Sequence, residues 1–340
     1  MDSSTIFIKK ALVIRFSSIG DIILTTPVIR CLAIQGAYEV HFLTQDRFAN
    51  VLADNPYIAH IYTLDKNLFT ISKHIRGRKY NVVFDLHNNI RSYSIRFFLF
   101  KKVHQFDKLR IKRWMRTVVK KGIDFDRHVV MRFLDTLATL GIVDDGKGLD
   151  FLIKKEYECP IHIKKGAIHI ALVPGAQHFT KTMPPHISST IVNKWPDVHF
   201  HIIGGDVEQT STAYLNSFPN VTNHCGKLTL PQSASVLQQC KIVITTDTAM
   251  MHVAAALQKK IISVWGGTVP EFGFYPFFGN GGGKNIFIEN NEISCRPCSK
   301  SGRSSCPINH FDCMTQISTN AIHSAIKEFI TSNHLSKKIV

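Results

Sequence analysis

The feature that most restricts the fold is a repeated alternation of short β-branched runs with segments of helical periodicity. Four strand-like runs in the first half cover residues 12–16, 39–43, 60–64 and 82–85. Four more in the second half cover residues 169–173, 199–203, 241–246 and 261–265. Because such alternation is typical of parallel sheets with crossover helices, the sequence predicts an α/β chain with two sheet units in tandem.

The two units are predicted to be separate domains. A chain of 340 residues is long enough to bury two cores. The charged stretch 154–166, which carries Pro160, lies between the two series of strands and is the best linker candidate. We therefore predict a first domain over residues 1–158 and a second over residues 166–316.

Two further helical patterns bear on how each domain is closed. Apolar residues recur at helical spacing over 127–140, and Gly141 follows as a C-cap, which predicts a helix that completes the first domain. The tail, residues 317–340, begins with an amphipathic helical pattern. Packing on its own domain and packing back across the interdomain cleft are both compatible with that pattern.

The charge balance favours anionic partners. Lys and Arg number 41 against 25 Asp and Glu, a net charge of +16 that suits nucleic acid, phosphorylated lipid surfaces or polyanionic glycans. Nucleic acid is disfavoured because there is no helix-turn-helix and no aromatic-interleaved RNA motif. An NAD-dependent oxidoreductase is disfavoured because no Gly-x-Gly-x-x-Gly follows a predicted strand.

The lengths of the apolar runs bear on the protein's cellular location. Residues 1–10 hold no apolar stretch of signal-peptide length, and no run approaches the roughly 20 residues of a membrane span. We expect a cytoplasmic protein whose membrane contact, if it has any, is peripheral.

Ligands of parallel α/β sheets bind where strands end and helices begin, because the free amides of a helix N-terminus favour anions. The first such junction is Arg15-Phe16-Ser17-Ser18-Ile19-Gly20-Asp21, directly after the opening strand. Gly20 permits a tight turn, and Asp21 then stands at the start of a helix. A carboxylate there is either a helix cap or a catalytic base facing the cleft.

The second junction is Pro174-Gly175-Ala176, followed by Thr180-Lys181 and a helix that opens with proline. A loop of this kind lets amides and a single lysine approach a phosphate, although Lys181 could equally be an ordinary exposed lysine. The third junction runs from Asp247 and Thr248 to His252. Its helix N-terminus with nearby hydroxyls suits a pyrophosphate, but a structural cap above a buried histidine gives the same pattern.

These junctions together resemble the heptosyltransferases, glycosyltransferase family 9. The resemblance spans nearly the whole chain, and any one motif alone would be weak. Five motifs occur in the family's order: Ser18-x-Gly20-Asp21-x-x-x-Thr25-x-Pro27, Pro174-Gly175-Ala176 with Thr180-Lys181, Gly226-Lys227-Leu228-Thr229, Asp247-Thr248-x-x-x-His252-x-Ala254-Ala255, and Gly266-x-Thr268-x-Pro270-Glu271.

The resemblance implies a fold and a reaction. The fold is the GT-B architecture, in which two Rossmann-like domains with parallel sheets face each other across a cleft. The first domain would bind the acceptor and the second the nucleotide-sugar donor. The reaction would be inverting transfer of heptose from ADP-heptose to the inner core of lipopolysaccharide at the inner face of the inner membrane, with Asp21 as general base.

The resemblance also implies the binding residues. The donor would contact Gly175, Ala176, Thr180, Lys181, Asp247, Thr248, Ala249 and His252. Ser18 and Gly20 would lie on the acceptor side with Asp21, and His87, which ends the fourth predicted strand, could line that side. No metal cofactor is required, because Lys181 and a helix N-terminus would balance the charge of the leaving diphosphate. We therefore expect activity to survive chelation.

Ala249 departs from the family pattern, which usually has glycine there. A methyl group at that point could narrow the approach of the donor, so another nucleotide-diphosphate sugar is an alternative. A noncatalytic glycan-binding relative is a further alternative.

A basic segment and a cysteine cluster complete the predictions. Residues 101–121 hold nine Lys and Arg against one acid, with Trp114 among them, and we predict that Arg113 and Arg116 grip anionic groups of the acceptor at a membrane surface. A merely solvated basic face is the alternative. The spacing of Cys295, Cys298, Cys306 and Cys313 is compatible with a four-thiolate zinc site, and equally with reduced packing cysteines.

Overall fold

The computed structural model describes residues 8–64, 68–99, 101–120, 127–159, 161 and 167–331. The chain divides into two compact units: residues 1–108 with 127–152, and residues 109–126 with 153–340. This differs from the predicted boundary at residue 158, because residues 109–126 belong with the second unit. Residues 160 and 162–166 of the predicted linker lie outside the described residues.

The first unit is built on a five-stranded parallel sheet with strand order β3-β2-β1-β4-β5. Its strands are β1 Lys9–Ile14, β2 Tyr38–Gln45, β3 His60–Leu64, β4 Val82–Asp85 and β5 Val103–Gln105. The central strand β1 pairs Ile14 with Leu43 on one side and with Asp85 on the other. The carboxyl ends of β1, β2 and β4 therefore lie side by side.

The second unit is built on a six-stranded parallel sheet with strand order β11-β10-β9-β6-β7-β8. Its strands are β6 Ile168–Val173, β7 Val198–Ile202, β8 Val221–Asn223, β9 Ile242–Thr246, β10 Lys260–Trp265 and β11 Lys284–Glu289. All eight predicted strands are confirmed, to within three residues at the start of β1 and within two residues at every other end. The strands that the sequence did not predict, β5, β8 and β11, all lie at sheet edges.

Helices connect the parallel strands. They are α1 Ile19–Ile23, α2 Thr26–Ile34, α3 Leu68–Arg76, α4 Ile90–Leu99, α5 Arg110–Val119, α6 Val129–Leu134, α7 Pro185–Lys194, α8 Asp206–Ser211, α9 Leu230–Gln239, α10 Ala249–Ala256, α11 Asp312–Thr315 and α12 Thr319–Thr331. The predicted helix over 127–140 is α6 continued by a 3₁₀ turn, Asp135–Leu140, and it ends as predicted at Gly141, whose φ is +69°. Within the described residues, no helix is long and apolar enough to cross a membrane.

Each unit has its own core. In the first unit Leu12, Ile14 and Val83 of the sheet pack with Ile95 of α4. In the second unit the sheet packs with α7 and α12. The apolar face of α12, which includes Ile326, is buried in that core, so the tail helix packs on its own unit.

A buried arginine anchors the last segment of the first unit. Arg30 of α2 is 1% exposed and donates two hydrogen bonds to Asp145, at 2.7 and 2.8 Å, and one to the carbonyl of Gly148. It also pairs with Asp150. A buried guanidinium needs this many partners, because its charge is costly away from water. The segment that follows α6 is thereby held against α2.

Candidate active site

Asp21 lies at the carboxyl end of β1, in the first turn of α1. Its Oδ2 lies 2.9 Å from Nη2 of Arg15 and accepts hydrogen bonds from the backbone N–H of Ser18 at 3.2 Å and from the Ser18 hydroxyl at 3.1 Å. The carboxylate therefore caps α1 and forms an ion pair, and these contacts do not exclude a role as base. Gly20 is buried beside it.

The surroundings keep Asp21 ionised. Burial alone raises the pKa of a carboxyl group, but the Arg15 guanidinium and the two bonds from Ser18 outweigh burial, and the pKa of Asp21 lies below its ordinary value. Arg15 is itself held by bonds to the carbonyls of Ser17 and Leu86. Arg15 is the first residue of the first predicted junction, but the sequence alone suggested no role for its side chain.

His87 lies in the loop after β4. Asp85, which is fully buried, accepts hydrogen bonds from the backbone N–H of His87 and Asn88 at 3.0 and 2.7 Å and so shapes this loop. The imidazole lies 5.0 Å from the Phe16 ring, centroid to centroid. Burial, together with the nearby charge of Arg15, lowers the pKa of His87 to about 3, so the ring is neutral near pH 7. Its buried Nδ1 has no hydrogen-bond partner among the described residues.

In the second unit the structure brings the second and third predicted junctions together with the last of the five motifs. Nζ of Lys181 lies 2.9 Å from Oδ2 of Asp247. The same oxygen accepts a hydrogen bond from the Thr268 hydroxyl at 2.8 Å. Residues from the loops after β6, β9 and β10 thus meet at one carboxylate. Both Lys181 and Asp247 remain partly accessible, as a ligand-binding pair must be.

Gly175 lies in the loop after β6, which packs closely against Thr246 and Glu208. The Thr246 hydroxyl donates to the carbonyl of Gly175 at 3.1 Å, and a Cβ at position 175 would lie 2.2 Å from Cγ of Glu208. The sequence analysis did not single out Glu208, which stands on α8 and accepts a hydrogen bond from the N–H of Gly205. Ala176 follows Gly175 and is partly exposed.

The helix α10 starts as predicted. Thr248 is its N-cap, and the Thr248 hydroxyl accepts a hydrogen bond from the N–H of Met250 at 3.2 Å. Ala249 is the first helical residue and is partly exposed, whereas His252 lies one turn later and is buried. The helix N-terminus therefore lies next to Asp247, the residue that binds Lys181.

Thr180 is buried, and its hydrogen bonds are internal. Its hydroxyl accepts from the N–H of Arg303 at 2.8 Å, and its carbonyl accepts from the N–H of Gly267 at 2.9 Å. The N–H of Cys298 in turn donates to the carbonyl of Gly267. These contacts give Thr180 a place in the framework of the site, holding Lys181 beside the loop that carries Thr268.

Arg296 supports the same loop and was not found from the sequence. It is 7% exposed and donates to the carbonyls of Gly266 at 2.6 Å, Thr268 at 3.2 Å and Trp265 at 3.3 Å. It also pairs with Glu289 at 2.9 Å. The signal in the sequence was weak: one arginine between two cysteines of the predicted metal cluster.

The four clustered cysteines, for which a zinc site and reduced packing were both open, are not arranged as a metal site. Although all four are described, no group of three or more His, Cys, Asp or Glu side chains in the described part of the chain is placed to hold a metal ion. The thiols have other neighbours: Cys298 Sγ lies 3.5 Å from the carbonyl of Gly267, and Cys295 Sγ lies 3.8 Å from Nε2 of His310. Cys313 is buried, which raises the pKa of its thiol to about 12.

The basic helix α5 packs within the second unit, although the sequence analysis placed it in the acceptor domain. The guanidinium of Arg113 lies 5.0 Å from the centroid of the Phe274 ring, and it donates to the carbonyl of Lys300. Arg116 lies 3.5 Å from Glu271. A cavity of about 670 Å³ lies between α5 and the cysteine loop, lined by Trp114 on one side and by the cysteines on the other.

Comparison with known proteins agrees with this fold. Residues 68–307 match glycosyltransferase family 9 (heptosyltransferase). Lipopolysaccharide heptosyltransferase 1 of Campylobacter coli is 23% identical over 289 residues, which cover 76% of this chain and 84% of that protein.

Two solved structures show the same fold. The family 9 glycosyltransferase of Veillonella parvula has a TM-score of 0.77 at 17% identity, and the match covers 95% of this chain and 98% of that one. The E. coli heptosyltransferase WaaC with ADP-2-deoxy-2-fluoro heptose has a TM-score of 0.66 at 18% identity, and the match covers 94% of this chain and 99% of that one.

Two parallel α/β sheets, with candidate binding groups after their strands, define a GT-B type glycosyltransferase, and the predicted fold class is confirmed. The chain belongs to glycosyltransferase family 9, the heptosyltransferase family. It is therefore a transferase.

Proposed function

We propose that this glycosyltransferase moves a heptose from ADP-heptose to the inner core of lipopolysaccharide, with inversion at the anomeric carbon and with Asp21 as general base. The observation that carries the proposal is the setting of Asp21: a partly exposed carboxylate at a strand end, held ionised by Arg15. The names of the relatives support the sugar and the acceptor, and the WaaC complex supports the donor.

The proposed chemistry is a single displacement. Asp21 takes the proton of the acceptor hydroxyl while that oxygen forms a bond to the anomeric carbon. The bond from this carbon to the donor phosphate breaks, and the diphosphate leaves with the electron pair. One displacement inverts the configuration. His87, neutral at pH 7, lies on the acceptor side with Ser18 and Gly20.

Protein groups would stabilise the leaving diphosphate. Lys181 offers a positive charge, and the N-terminus of α10 offers free amides beside Thr248. Gly175, Ala176 and Ala249 would let the backbone approach the donor. Because these groups supply the charge that the leaving diphosphate needs, we expect turnover to persist in a chelator.

The net charge of +16 supports an anionic acceptor. We propose that Arg113 and Arg116 contribute to its recognition through the positive charge of their guanidinium groups, and that the enzyme works peripherally at the inner face of the inner membrane. The alternative donor, another nucleotide-diphosphate sugar, is favoured by the methyl group of Ala249. A binding screen with ADP-heptose and with UDP- and GDP-sugars would distinguish the two donors. If another nucleotide sugar bound more tightly than ADP-heptose, that sugar would be the donor.

The test of the reaction is substitution of the base. Asp21→Asn keeps the shape of the side chain and removes its basicity, so we expect kcat to fall by about 10²–10⁴-fold. The Kd for ADP should stay within about twofold, because Asp21 and the donor groups lie on different sheets. Asp46→Asn is the matched control, since Asp46 is an exposed carboxylate of the same unit.

The outcomes separate the alternatives. Full transfer by Asp21→Asn would exclude Asp21 as the base. Donor binding without transfer by the unsubstituted enzyme would favour a noncatalytic glycan-binding protein. The anomeric configuration of the product, read by NMR, distinguishes inversion from retention.

A further inference from the structure

The helices α3 and α4 of the first unit carry large apolar side chains on an exposed surface. Phe69 of α3 is 63% exposed. On α4, Ile90 is 86%, Tyr93 62% and Phe97 63% exposed. Four such side chains, grouped on two neighbouring helices, differ from the scattered single apolar residues of an ordinary surface. We call these four residues, with the basic residues around them, the α3–α4 face.

The apolar side chains of this face are contiguous. Ile90, Tyr93 and Phe97 follow one another at helical spacing, so they lie along one side of α4. Phe98 joins the two helices, because its ring lies 6.0 Å from the ring of Phe69 and 6.0 Å from that of Phe97. The rings of Phe69, Phe98 and Phe97 therefore link the two helices.

The segment that carries this face is strongly basic. Between residues 68 and 102 there are eight Lys and Arg: Lys73, Arg76, Arg78, Lys79, Arg91, Arg96, Lys101 and Lys102. The one acid of that range, Asp85, is fully buried and pairs with Arg96 at 3.0 Å. The segment 68–102 therefore carries exposed aromatic and aliphatic groups among basic residues, and its one carboxylate is buried.

We propose that the α3–α4 face docks on an anionic phospholipid bilayer. Aromatic rings favour the boundary between headgroups and acyl chains, and lysine and arginine are attracted to anionic headgroups. A second copy of the chain fits this face poorly, because a two-fold contact would set the same positive charges against each other. The proposal rests on the proposed function, in which the acceptor is a membrane glycolipid.

The α3–α4 face lies close in sequence to the proposed acceptor side. Ile90 is the first residue of α4 and follows His87 by three positions. The loop between β4 and α4 thus joins a residue on the proposed acceptor side to the apolar surface. Docking through α4 would hold this loop at the membrane surface, where a lipid-linked acceptor is presented.

The first test is sedimentation of the full chain with vesicles of phosphatidylcholine, alone or with about one third phosphatidylglycerol. We expect binding to the mixed vesicles only. Arg91→Gln with Lys102→Gln should weaken it by about 25-fold, since each basic residue near an anionic surface contributes about fivefold. Phe69→Ser with Phe97→Ser should weaken it by at least about tenfold.

The control carries matched changes on another surface. Val207→Ser with Lys194→Gln alters an apolar side chain that is 85% exposed and an exposed lysine, both in the second unit. We expect its affinity for the mixed vesicles to match that of the unsubstituted chain. Equal loss of binding in this variant and in the α3–α4 variants would overturn the proposal, and so would an unsubstituted chain that does not bind.

A reporter locates the contact without depending on those variants. Tyr93→Trp places an indole on the face, and its emission should shift to the blue and be quenched by brominated lipid. Val207→Trp should show neither effect, and the signal of the native tryptophans is subtracted with the unsubstituted chain. An unchanged indole at position 93 on bound protein would overturn the proposal, as would dimer formation through this face in sedimentation velocity.

These measurements are independent of sugar transfer. Vesicle binding contains neither donor nor acceptor, so its failure leaves the proposed reaction untouched. Conversely, the α3–α4 variants should transfer sugar normally to a delipidated, soluble acceptor. Absence of transfer by the unsubstituted chain on that acceptor would contradict the proposed function alone.

Discussion

At the scale of single residues, the proposed donor site depends on a side chain that need not touch the donor. Arg296 donates to the carbonyls of Trp265, Gly266 and Thr268, and the Thr268 hydroxyl donates to Asp247. Asp247 in turn binds Lys181. Arg296 is therefore a positioning residue, which acts on the proposed phosphate-binding lysine through two intervening residues.

We predict that Arg296→Lys raises the KM for the donor by about tenfold and leaves the KM for the acceptor unchanged. Lysine keeps the charge, but its single ammonium group cannot bond several carbonyls at once as the planar guanidinium does. Steady-state kinetics with each substrate varied in turn would measure the split. An equal effect on both KM values would point to general misfolding and contradict the prediction.

Thr268→Val separates positioning from stability. This change removes only the hydroxyl that bonds Asp247, and so leaves the bonds of Arg296 in place. We expect the KM for the donor to rise by about threefold, a smaller effect that is consistent with the loss of one hydrogen bond. The control is Arg127→Met, whose partner Asp135 is an exposed carboxylate in the other unit, and it should leave both KM values unaltered.

At the scale of elements, strands β6 and β7 with the end of β8 carry a row of histidines. Nδ1 of His169 lies 2.9 Å from Nε2 of His201, and Nδ1 of His201 lies 3.0 Å from Nε2 of His224. Burial, and then the neighbouring His224, His199 and His169, lower the pKa of His201 to about 3. Burial also lowers the pKa of His224, with Lys227 and His199 adding to the effect.

This row predicts acid-sensitive folding. In the unfolded chain a histidine has a pKa near 6.5, whereas His201 in the folded chain has a pKa of about 3. Between these two pH values the unfolded state therefore binds a proton that the folded state does not bind. Stability is therefore complete above about pH 6.5 and falls as the pH is lowered, by at most about 1.4 kcal/mol per pH unit for this residue. Urea unfolding between pH 7 and pH 5 would measure the slope.

A substitution assigns the slope to the row. His201→Leu cannot take up a proton, so the free energy of unfolding should depend less steeply on pH in this variant than in the unsubstituted chain. His60→Leu, at an exposed histidine of the first unit, should keep the original slope. The same slope in His201→Leu as in the unsubstituted chain would contradict the prediction.

The elements also show why sequence prediction succeeded in part. Central strands such as β4 and β9 are buried on both faces and read as continuous apolar runs, which made them recognisable. The edge strands β5 and β8 are three residues long and have no buried residue, so no comparable signal existed. In the same way Asp21 and Lys181 follow strands and could be proposed as candidates from the sequence, whereas the contacts of Arg296 exist only in the fold.

At the scale of the whole molecule, the charge balance could be read from the sequence, but the place of the basic helix could not. The segment 101–121 was predicted to belong to the first domain, yet α5 joins the second unit through Arg113 and Arg116. Its cation–π and ion-pair partners, Phe274 and Glu271, lie more than 150 positions away in the chain. No local pattern reports contacts at that separation.

The net charge of +16 predicts that binding of an anionic acceptor weakens as the salt concentration rises. Electrostatic attraction to an anionic acceptor is screened beyond about 10 Å at 0.1 M ionic strength and beyond about 3 Å at 1 M. We therefore expect the KM for a phosphorylated core acceptor to rise by at least about tenfold between about 0.05 and 0.5 M NaCl. An acceptor stripped of its phosphates should show a much smaller rise, because it lacks the charges that are screened. The turnover number at saturating acceptor serves as the control for general inhibition by salt. If both acceptors lost affinity equally, the excess of positive charge would have no part in acceptor binding. The basic residues would then contribute to membrane binding or only to the solvated surface of the protein.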